Sequence, residues 1–397
     1  MRHRPALPRS IWVLGFVSLL MDVSSELIHS LLPVFMVATL GASAMTVGIV
    51  EGVGEATALI VKVFSGALSD YVGKRKWLAV TGYALGAFSK PLFALAASPV
   101  VVLGARFADR VGKGIRGAPR DALIADLTPQ AVRGAAYGLR QSLDTVGAAL
   151  GPLLGVALML AYSNHIRAVF WFAVPPALLA VLLLVVAVDE PPSASRAGRP
   201  RMPVHWSLLA ELDRRYWHVV AFGALLTLAR FSEAFLILRA REYGLGDAYA
   251  PTVLILMNAV YGLTAYPVGR LADRMSRKTL LAAGVAALIA ADLVLAAAGN
   301  LAHAAVGIAL WGLHMGLTQG LLAAMVADTA PAELRGTAFG FFNLAGGIAI
   351  LAASVLAGWL WDRAGAAATF EAGAAFSAVA LLLLASSRAP RPRATSR

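Results

Sequence analysis

Apolar stretches of roughly 20 residues recur along almost the whole chain, separated by short joints that contain Gly, Pro or Arg. A helix needs about 20 apolar residues to cross the hydrocarbon core of a bilayer, so this pattern predicts membrane-spanning helices. The predicted spans, twelve in number, are 11–37, 45–68, 77–97, 99–126, 134–162, 166–188, 216–240, 248–270, 279–298, 301–328, 336–361 and 367–386. The predicted fold class is an all-α polytopic membrane protein.

Composition supports this interpretation. Of the 397 residues, 59% are hydrophobic and 14% are charged, whereas soluble domains are about 45–50% apolar and about 25% charged. Because the predicted spans use nearly all of the chain, no large soluble domain fits beside them. The absence of cysteine excludes disulfides and thiolate metal ligands.

One polar segment interrupts the pattern in the middle of the chain. Residues 189–215 contain several prolines and arginines, which is typical of a linker. This segment divides the chain into a predicted bundle of six helices at 1–188 and a second at 216–397, which ends in a short basic tail.

Basic residues cluster in the joints that this topology places on one side of the membrane. They occur near the N-terminus, at 74–76, in the central linker, at 274–278 and in the tail. Since positive joints favour the cytoplasmic side, both termini are predicted to be cytoplasmic. The net charge of +12 then reflects topology rather than a nucleic-acid partner. Asp22 and Glu26 within a long first run favour an uncleaved helix over a signal peptide.

The chain contains an internal repeat. Residues 125–138 match 327–340 at an offset of 202, and residues 66–70 match 269–273 at an offset of 203. Two homologous halves in the same orientation are an architecture of transporters that bind their substrate between the halves.

Three motifs resemble signatures of the major facilitator superfamily. Residues 66–76 resemble its loop signature between the second and third helices, and residues 269–278 resemble the degenerate second copy. Residues 110–118 resemble the fourth-helix signature, although Lys113 and Arg116 replace its usual glutamine and glycine.

The third motif, at residues 147–155, resembles the fifth-helix signature of proton-driven exporters. Its Gly147, Gly151 and Pro152 predict a small-residue groove with a bend, which allows close helix contact. Residues 21–26 and 109–121 also resemble a bacterial subgroup of permeases, some of which are associated with nickel-type metal resistance.

The resemblance implies two pseudo-symmetric bundles, alternating access and proton-coupled antiport or efflux of a small solute. It also implies a multi-pass location in the bacterial inner membrane. The expected partners are a small molecule or ion, protons and lipid, and the expected state is a monomer. A conformational clamp is expected at the ends of the second, third and eighth spans, formed by Gly66, Asp70, Gly73, Lys74, Arg75 and Asp273.

Ionisable residues inside the predicted spans point to the functional site, because each costs about 2.5–3.5 kcal/mol at mid-bilayer. Asp22, Glu26 and His29 lie within roughly 60° of arc on the first helix. Burial and a neighbouring carboxylate both favour a neutral carboxyl group, so Asp22 or Glu26 is predicted to exchange a proton. Two alternatives remain open: an ion pair with the fourth helix, or a metal site formed by these three residues.

The predicted central cavity adds Glu55, Arg106, Arg110, Asp144, Arg230 and Glu233. The fourth helix presents a row of cations that lipid does not tolerate, including Lys113. If protein carboxylates match the row, it is structural and switches with conformation; otherwise the substrate is anionic. Protonation of Asp22 or Glu26 is expected to weaken its pairing with Arg106 or Arg110.

Three further pairings are predicted. Arg140 and Asp144 lie one turn apart and are expected to pair locally. Arg230 is expected to pair with Glu233, or across the cavity with Asp22, as a gate.

Other chemistry is not indicated. The chain has no Walker loop, dinucleotide signature or HExxH motif, so no cofactor is predicted. No nucleophile, base and orienting group fall together, so an enzyme is not predicted. The alternatives are a divalent-metal exporter that uses Asp22, Glu26 and His29, and a membrane receptor or sensor that binds without transporting.

Overall fold

The computed structural model describes residues 7–72, 74–190, 212–272, 275–331 and 334–386, except for the side chains of Ala67 and Asp70. Within these ranges the regular structure is helical, with no strand. The helices are α1 Arg9–Val34 with a π-helical turn at Phe35–Thr39, α2 Ala44–Val72, α3 Arg75–Leu95, α4 Pro99–Leu127, α5 Arg133–Ala161, α6 Ile166–Trp171, α7 Val174–Ala187, α8 Arg214–Ala229, α9 Ala234–Glu242, α10 Thr252–Ala272, α11 Arg277–Ala296, α12 Leu301–Thr329, α13 Arg335–Ala364 and α14 Ala366–Ser386.

Ten helical segments of the described ranges are long and apolar enough to cross a membrane. The prediction of an all-helical, multi-pass membrane protein is therefore confirmed. The 29-residue helices α2 and α4 are not among these ten segments. They nevertheless pack among the other helices, α2 against α4 and α13, and α4 against α3.

Two predicted spans are divided. The sixth consists of α6 and α7, and α7 begins at Val174 with Pro175 and Pro176 in its first turn, which cannot continue the hydrogen bonding of a preceding helix. The seventh consists of α8 and α9, separated at Arg230–Glu233. The break places both of these charged residues at a helix end inside the span.

The helix ends define two faces of the molecule. We call the face with the joints near residues 74, 129 and 275 the basic face, and the face with the joints near residues 41, 163, 245, 299 and 365 the opposite face. Glycines with positive φ permit tight turns at the opposite face, at Gly41 (65°), Gly244 (84°) and Gly365 (88°).

The buried core is continuous across the two halves of the chain only toward the opposite face. There a single cluster joins residues of α1 to α3 with residues of α8 to α14, including Phe35, Phe235 and Trp361. Toward the basic face, the described core separates into one cluster from residues 11–188 and another from residues 212–338.

A tight seam between α2 and α13 closes the opposite face. A Cβ added to Gly358 would lie 2.5 Å from the Ala44 carbonyl oxygen, so glycine is required there. The Asp362 carboxylate accepts hydrogen bonds from the backbone N–H groups of Ala44 (3.0 Å) and Met45 (2.9 Å) and thereby caps α2. The seam and the divided core leave a recess between the halves that opens toward the basic face.

The internal repeat has a structural counterpart at the basic face. Arg75 pairs with Asp126 at 2.5 Å, and Arg277 pairs with Asp328 in the second half. Both members of the second pair lie 202 positions after those of the first.

Some predictions concern residues that the structure does not describe. Residues 191–211 of the linker, the chain ends at 1–6 and 387–397, and the clamp residues Gly73 and Asp273 lie outside the described residues, as does the side chain of Asp70.

Candidate functional site

The charged side chains predicted on different helices meet in one network. On α1, the His29 Nδ1 atom lies 3.3 Å from Glu26 Oε2, and its Nε2 atom lies 3.5 Å from Glu51 Oε2 on α2. Arg106 of α4 donates to the same Glu51 oxygen at 2.6 Å. The Arg106 and Glu51 side chains are only 3% and 1% exposed, so this is a buried ion pair.

The network continues back to α1 through α4 and α3. Glu55 lies 3.5 Å from Arg106 and 3.1 Å from Arg110, whose Nε atom lies 3.9 Å from Asp109. Lys90 of α3 donates to Asp109 at 2.7 Å and to the Ser25 hydroxyl of α1 at 2.9 Å. We call this set the ion-pair ring: Ser25, Glu26, His29, Glu51, Glu55, Lys90, Arg106, Asp109 and Arg110.

Small residues allow the helices of the ring to approach closely. A Cβ on Gly82 of α3 would lie 2.7 Å from the Gly112 carbonyl oxygen of α4. This contact brings Lys90 and Asp109 within hydrogen-bonding distance. Sequence reasoning missed Lys90, although a lysine in the middle of an apolar span was a sufficient signal.

The predicted groove on α5 contacts α1 directly behind the predicted proton site. A Cβ on Gly147 would lie 2.6 Å from the Leu19 carbonyl oxygen, and one on Gly151 would lie 2.8 Å from Glu26 Cβ. Pro152 is buried beside them in α5. The glycines therefore set the distance between α5 and the charged face of α1.

A second cluster lies nearer the basic face. Asp121 pairs with Arg120 at 3.2 Å and with Arg140 at 3.1 Å. Arg140 also pairs with Asp144 at 2.7 Å, so the local pair predicted for these two residues is confirmed.

The predicted partners of Asp22 are not found. Among the described residues, Asp22 makes no ion pair or side-chain hydrogen bond, and Glu26 pairs with His29 rather than with Arg106 or Arg110. The two arginines are instead occupied by Glu51 and Glu55, because α2 lies against α4 along this face. The predicted pairing of Asp22 or Glu26 with these arginines is therefore wrong for this conformation.

The predicted gate is also not formed. Arg230 and Glu233 interact electrostatically, but no ion pair within 4.0 Å joins them or joins Arg230 to Asp22 among the described residues. Both side chains flank the break between α8 and α9. Arg230 also interacts with Glu55, and Glu233 with Glu26 and His29, so the charges of both halves converge on the recess.

Of the clamp residues, Gly66 is partly buried and Lys74 is exposed. Arg75 bonds the Ala122 carbonyl oxygen and Asp126, both at the end of α4. In this conformation Arg75 therefore ties α3 to α4 within the first half.

The described residues contain no group of three or more His, Cys, Asp and Glu side chains arranged to hold a metal ion. The alternative metal site at Asp22, Glu26 and His29 is not favoured, because His29 is directed at Glu26 and Glu51 and Asp22 does not join them.

A cavity of about 540 Å³ lies at the opposite face beside the seam. Its charged residues already have partners: Arg241 pairs with Asp247 at 2.8 Å, and Asp362 caps α2. This cavity offers no unpaired charge to a solute, whereas the recess does.

Comparison with known proteins agrees with the fold and the repeat. The model of the Major Facilitator Superfamily matches residues 14–348 and, in a second match, residues 231–397. An uncharacterized MFS-type transporter of Methanocaldococcus jannaschii, MJ1317, is 30% identical over 95% of this chain and 94% of its own length.

Two further proteins are similar over different extents. The quinolone resistance protein NorA of Staphylococcus aureus is 28% identical over 55% of this chain and 54% of its own length. The crystal structure of the nucleoside transporter NupG has a TM-score of 0.75 over 95% of this chain and 98% of its own, at 12% identity, a likeness of fold alone.

Proposed function

Because the chain belongs to the major facilitator superfamily, we propose that this multi-pass membrane transporter exports a small solute across the bacterial inner membrane in exchange for protons. Members of this family carry small-molecule substrates across a membrane, and the protein is a transporter rather than an enzyme. The proposal concerns the direction, the proton coupling and the membrane.

The topology we propose has twelve spans in two bundles, at 1–188 and 216–397, joined by a cytoplasmic linker at 189–215 in a monomer. Helices α2 and α4 complete the twelve, since each has 29 residues and lies among the apolar spans. The basic face would be cytoplasmic, because its joints carry Lys74, Arg75, Arg277 and Lys278. The recess then opens toward the cytoplasm.

The observation that carries proton coupling is the ion-pair ring next to an unpaired Asp22. Within the ring Glu51, Glu55 and Asp109 each pair with a lysine or an arginine, which favours their charged form, and Glu26 contacts His29. Asp22 has no such partner, yet it interacts electrostatically with Asp144, Arg116, Lys113 and Glu26. A carboxyl group that is free to gain or lose a proton beside fixed charges is the element that a proton-coupled carrier needs.

In the proposed cycle, the ring holds α1 to α4 together while the halves move. A solute entering the recess displaces the proton from Asp22, and the filled recess closes toward the basic face as the α2–α13 seam opens. After release, Asp22 binds a proton from the other side and the seam reforms. Substrate and proton thus compete for one carboxylate, which makes their movements opposite.

Export as the direction rests on two observations. The fifth-helix motif with Gly147 and Gly151 resembles that of proton-driven exporters, and it contacts α1 at Leu19 and Glu26. NorA, which is similar over about half of this chain, is a quinolone resistance protein.

The test begins with a resistance screen of an overexpressing strain against drugs, weak acids and metals. Flux of the strongest hit is then measured in sealed proteoliposomes with and without an imposed pH gradient. We expect the gradient to drive the solute against its concentration difference, and Asp22→Asn to abolish this. Flux that ignores the gradient would reject proton coupling, and binding without any flux would favour a receptor or sensor.

A further inference from the structure

Four charged side chains around the recess lack the partners that the rest of the network has. In the first half these are Asp22 on α1 and Lys113 on α4, and in the second half they are Arg230 and Glu233 at the break between α8 and α9. None of them makes an ion pair or a side-chain hydrogen bond among the described residues. By contrast, Arg106 and Arg110, on the same face of α4 as Lys113, are both paired.

The four groups belong to one space. Lys113 interacts electrostatically with Asp22, Glu26 and Glu55, and Arg230 interacts with Glu233 and also with Glu55. Glu55 does not neutralise either cation, because its carboxylate is shared by Arg106 and Arg110. Lys113 is exposed although it lies in the middle of α4, which places it in the open part of the recess.

The first half also contains Arg116 on α4, which makes no ion pair within the described part of the chain but is buried with its guanidinium group over the Tyr83 ring, 4.9 Å from the ring centroid. Each half therefore presents an unpaired carboxylate and at least one unpaired cation. An arginine cannot lose its charge, and an exposed lysine stays protonated near neutral pH, whereas a carboxyl group is neutralised by a proton. When the recess closes and water leaves, an unpaired charge costs several kcal/mol unless the solute supplies its partner. The solute must thus meet charges of both signs.

The proposed exchange with protons further restricts the charge that the solute can carry. A purely cationic solute would compete with the proton on Asp22 but would leave Lys113 and Arg230 unpaired. A purely anionic solute would bind better when Asp22 is protonated, so proton and solute would move together rather than in exchange. A solute with both signs satisfies the cations and still competes for Asp22.

We infer that the transported solute is zwitterionic, with its anionic group bound by Lys113 and Arg230 and its cationic group bound by Asp22 and Glu233. This inference rests on the proposed proton-exchange function. Arg230 provides a planar fork for a carboxylate, and Lys113 provides a mobile ammonium group. Because the two cations come from different halves, a solute bound by both favours the conformation in which the halves close on it.

The test uses four probes of matched shape: 4-(aminomethyl)benzoate as the zwitterion, benzoate as the anion, benzylamine as the cation and benzamide as the neutral form. Binding to the purified protein in detergent is measured by calorimetry, and proton release is measured in weak buffer. We expect the zwitterion to bind with the lowest Kd and to release a proton, and Asp22→Asn to abolish the release.

Lys113→Gln and Arg230→Gln should each raise the Kd of the zwitterion at least about tenfold, the loss of about 1.4 kcal/mol. Lys113→Arg and Arg230→Lys keep the charge and should each retain more affinity than the glutamine variant, which guards against a folding defect. Lys62→Gln is the matched control, because Lys62 is an exposed lysine of α2 outside the four groups, and it should leave the Kd unchanged.

Several results would overturn the inference. These are a lower Kd for benzoate, benzylamine or benzamide, no binding of any probe at millimolar concentration, or an equal effect of Lys62→Gln. This binding needs no pH gradient. If the protein binds the zwitterion but shows no pH-driven flux, proton exchange is refuted while the assignment of a zwitterionic ligand stands. If flux is coupled to the pH gradient but benzylamine is preferred, the zwitterionic ligand is refuted while proton exchange stands.

Discussion

The two halves of the chain repeat each other in sequence but differ in chemistry at the same positions. With the offset of 202, Lys90 and Asp109 of the first half correspond to Asp292 and Trp311 of the second. Lys90 and Asp109 form a buried ion pair at 2.7 Å. Asp292 and Trp311 are fully buried, and the Asp292 oxygens and the indole N–H have no partner among the described residues.

The contrast extends along α4 and α12. Arg106 and Arg110 correspond to Ile308 and Gly312, so the ion-pair ring has no counterpart on the second helix. Trp311 packs instead against Phe231, with ring centroids 5.4 Å apart, in an aromatic cluster with Phe235 and Phe370. The first half thus carries a network of buried ion pairs beside a titratable group, whereas the second half has an aromatic cluster at the corresponding positions and places Arg230 and Glu233 at the break between α8 and α9. Coupling is expected to depend far more on the first half.

The largest effect is expected at Asp22. Asp22→Asn removes the proposed exchangeable proton but no hydrogen bond or ion pair, so pH-driven flux should fall to background while the unfolding temperature is unchanged. The measurements are flux in proteoliposomes and thermal unfolding in detergent. The matched control is Asp292→Asn in the second half, which should retain coupled flux. Equal loss of flux in both variants would contradict the division of roles between the halves.

The next largest effect is expected at Lys90, which is compared with Asp292, the residue at the equivalent position of the second half. Lys90→Met leaves Asp109 buried without its main partner and should destabilise the protein by about 3–5 kcal/mol. Leucine is similar in shape to aspartate, and Asp292→Leu breaks no ion pair. Because it removes a buried carboxyl group that has no hydrogen-bond partner within the described ranges, it should stabilise the protein by about 1–3 kcal/mol. Chemical unfolding in detergent measures both. Opposite signs are the essential outcome, and a loss of stability in both variants would count against the contrast.

A smaller effect is expected where the halves differ in helix spacing. Gly151 of α5 corresponds to Ala353 of α13. Gly151→Ala would place a Cβ 2.8 Å from Glu26 Cβ, so it should destabilise by about 1–3 kcal/mol and slow transport by pushing α1 away. Ala353→Gly should cost about 0.5–1 kcal/mol through helix propensity alone. Similar values for the two would show that the α1–α5 distance is not special.

The smallest effect concerns Asp362, through which the second half caps a helix of the first. Asp362→Asn removes the negative charge at the start of α2 and should weaken the seam by about 1 kcal/mol. Because the natural chain has no cysteine, a pair of introduced cysteines can carry two spin labels, one on each half at the opposite face. The distance between the two labels then reports whether this face is open or closed. We expect Asp362→Asn to increase the population in which the opposite face is open. The control variant Asp247→Asn should not change this population. An unchanged distance distribution would mean that the cap is not part of the closure.

The sequence was sufficient for those features that depend on local pattern. Hydrophobic stretches of bilayer length predicted the spans, and the repeat predicted the equivalence later seen in the pairs Arg75–Asp126 and Arg277–Asp328. The rule that charge is costly in lipid identified Asp22, Glu26, Glu55, Arg106 and Arg110 as residues of interest. Each of these inferences needs only the bilayer thickness and the helical period.

Sequence reasoning failed where two helices had to be placed against each other. It did not show that Glu51 and Glu55, rather than Asp22, meet Arg106 and Arg110, because helical phase gives the face of a residue but not the neighbour of that face. It also missed Lys90, whose partner Asp109 is reached only through the close approach of Gly82 to Gly112.

The sequence by itself determined the class of the protein, the presence of many apolar helices of bilayer length and most of the positions of buried charge. Only the tertiary structure decided which charges are paired and which remain free, because an ion pair depends on distances of a few ångströms between helices that are far apart in the chain. The tertiary structure was therefore needed to identify, within the described chain, the charged residues without an ion pair at the recess, which are Asp22, Lys113, Arg230 and Glu233.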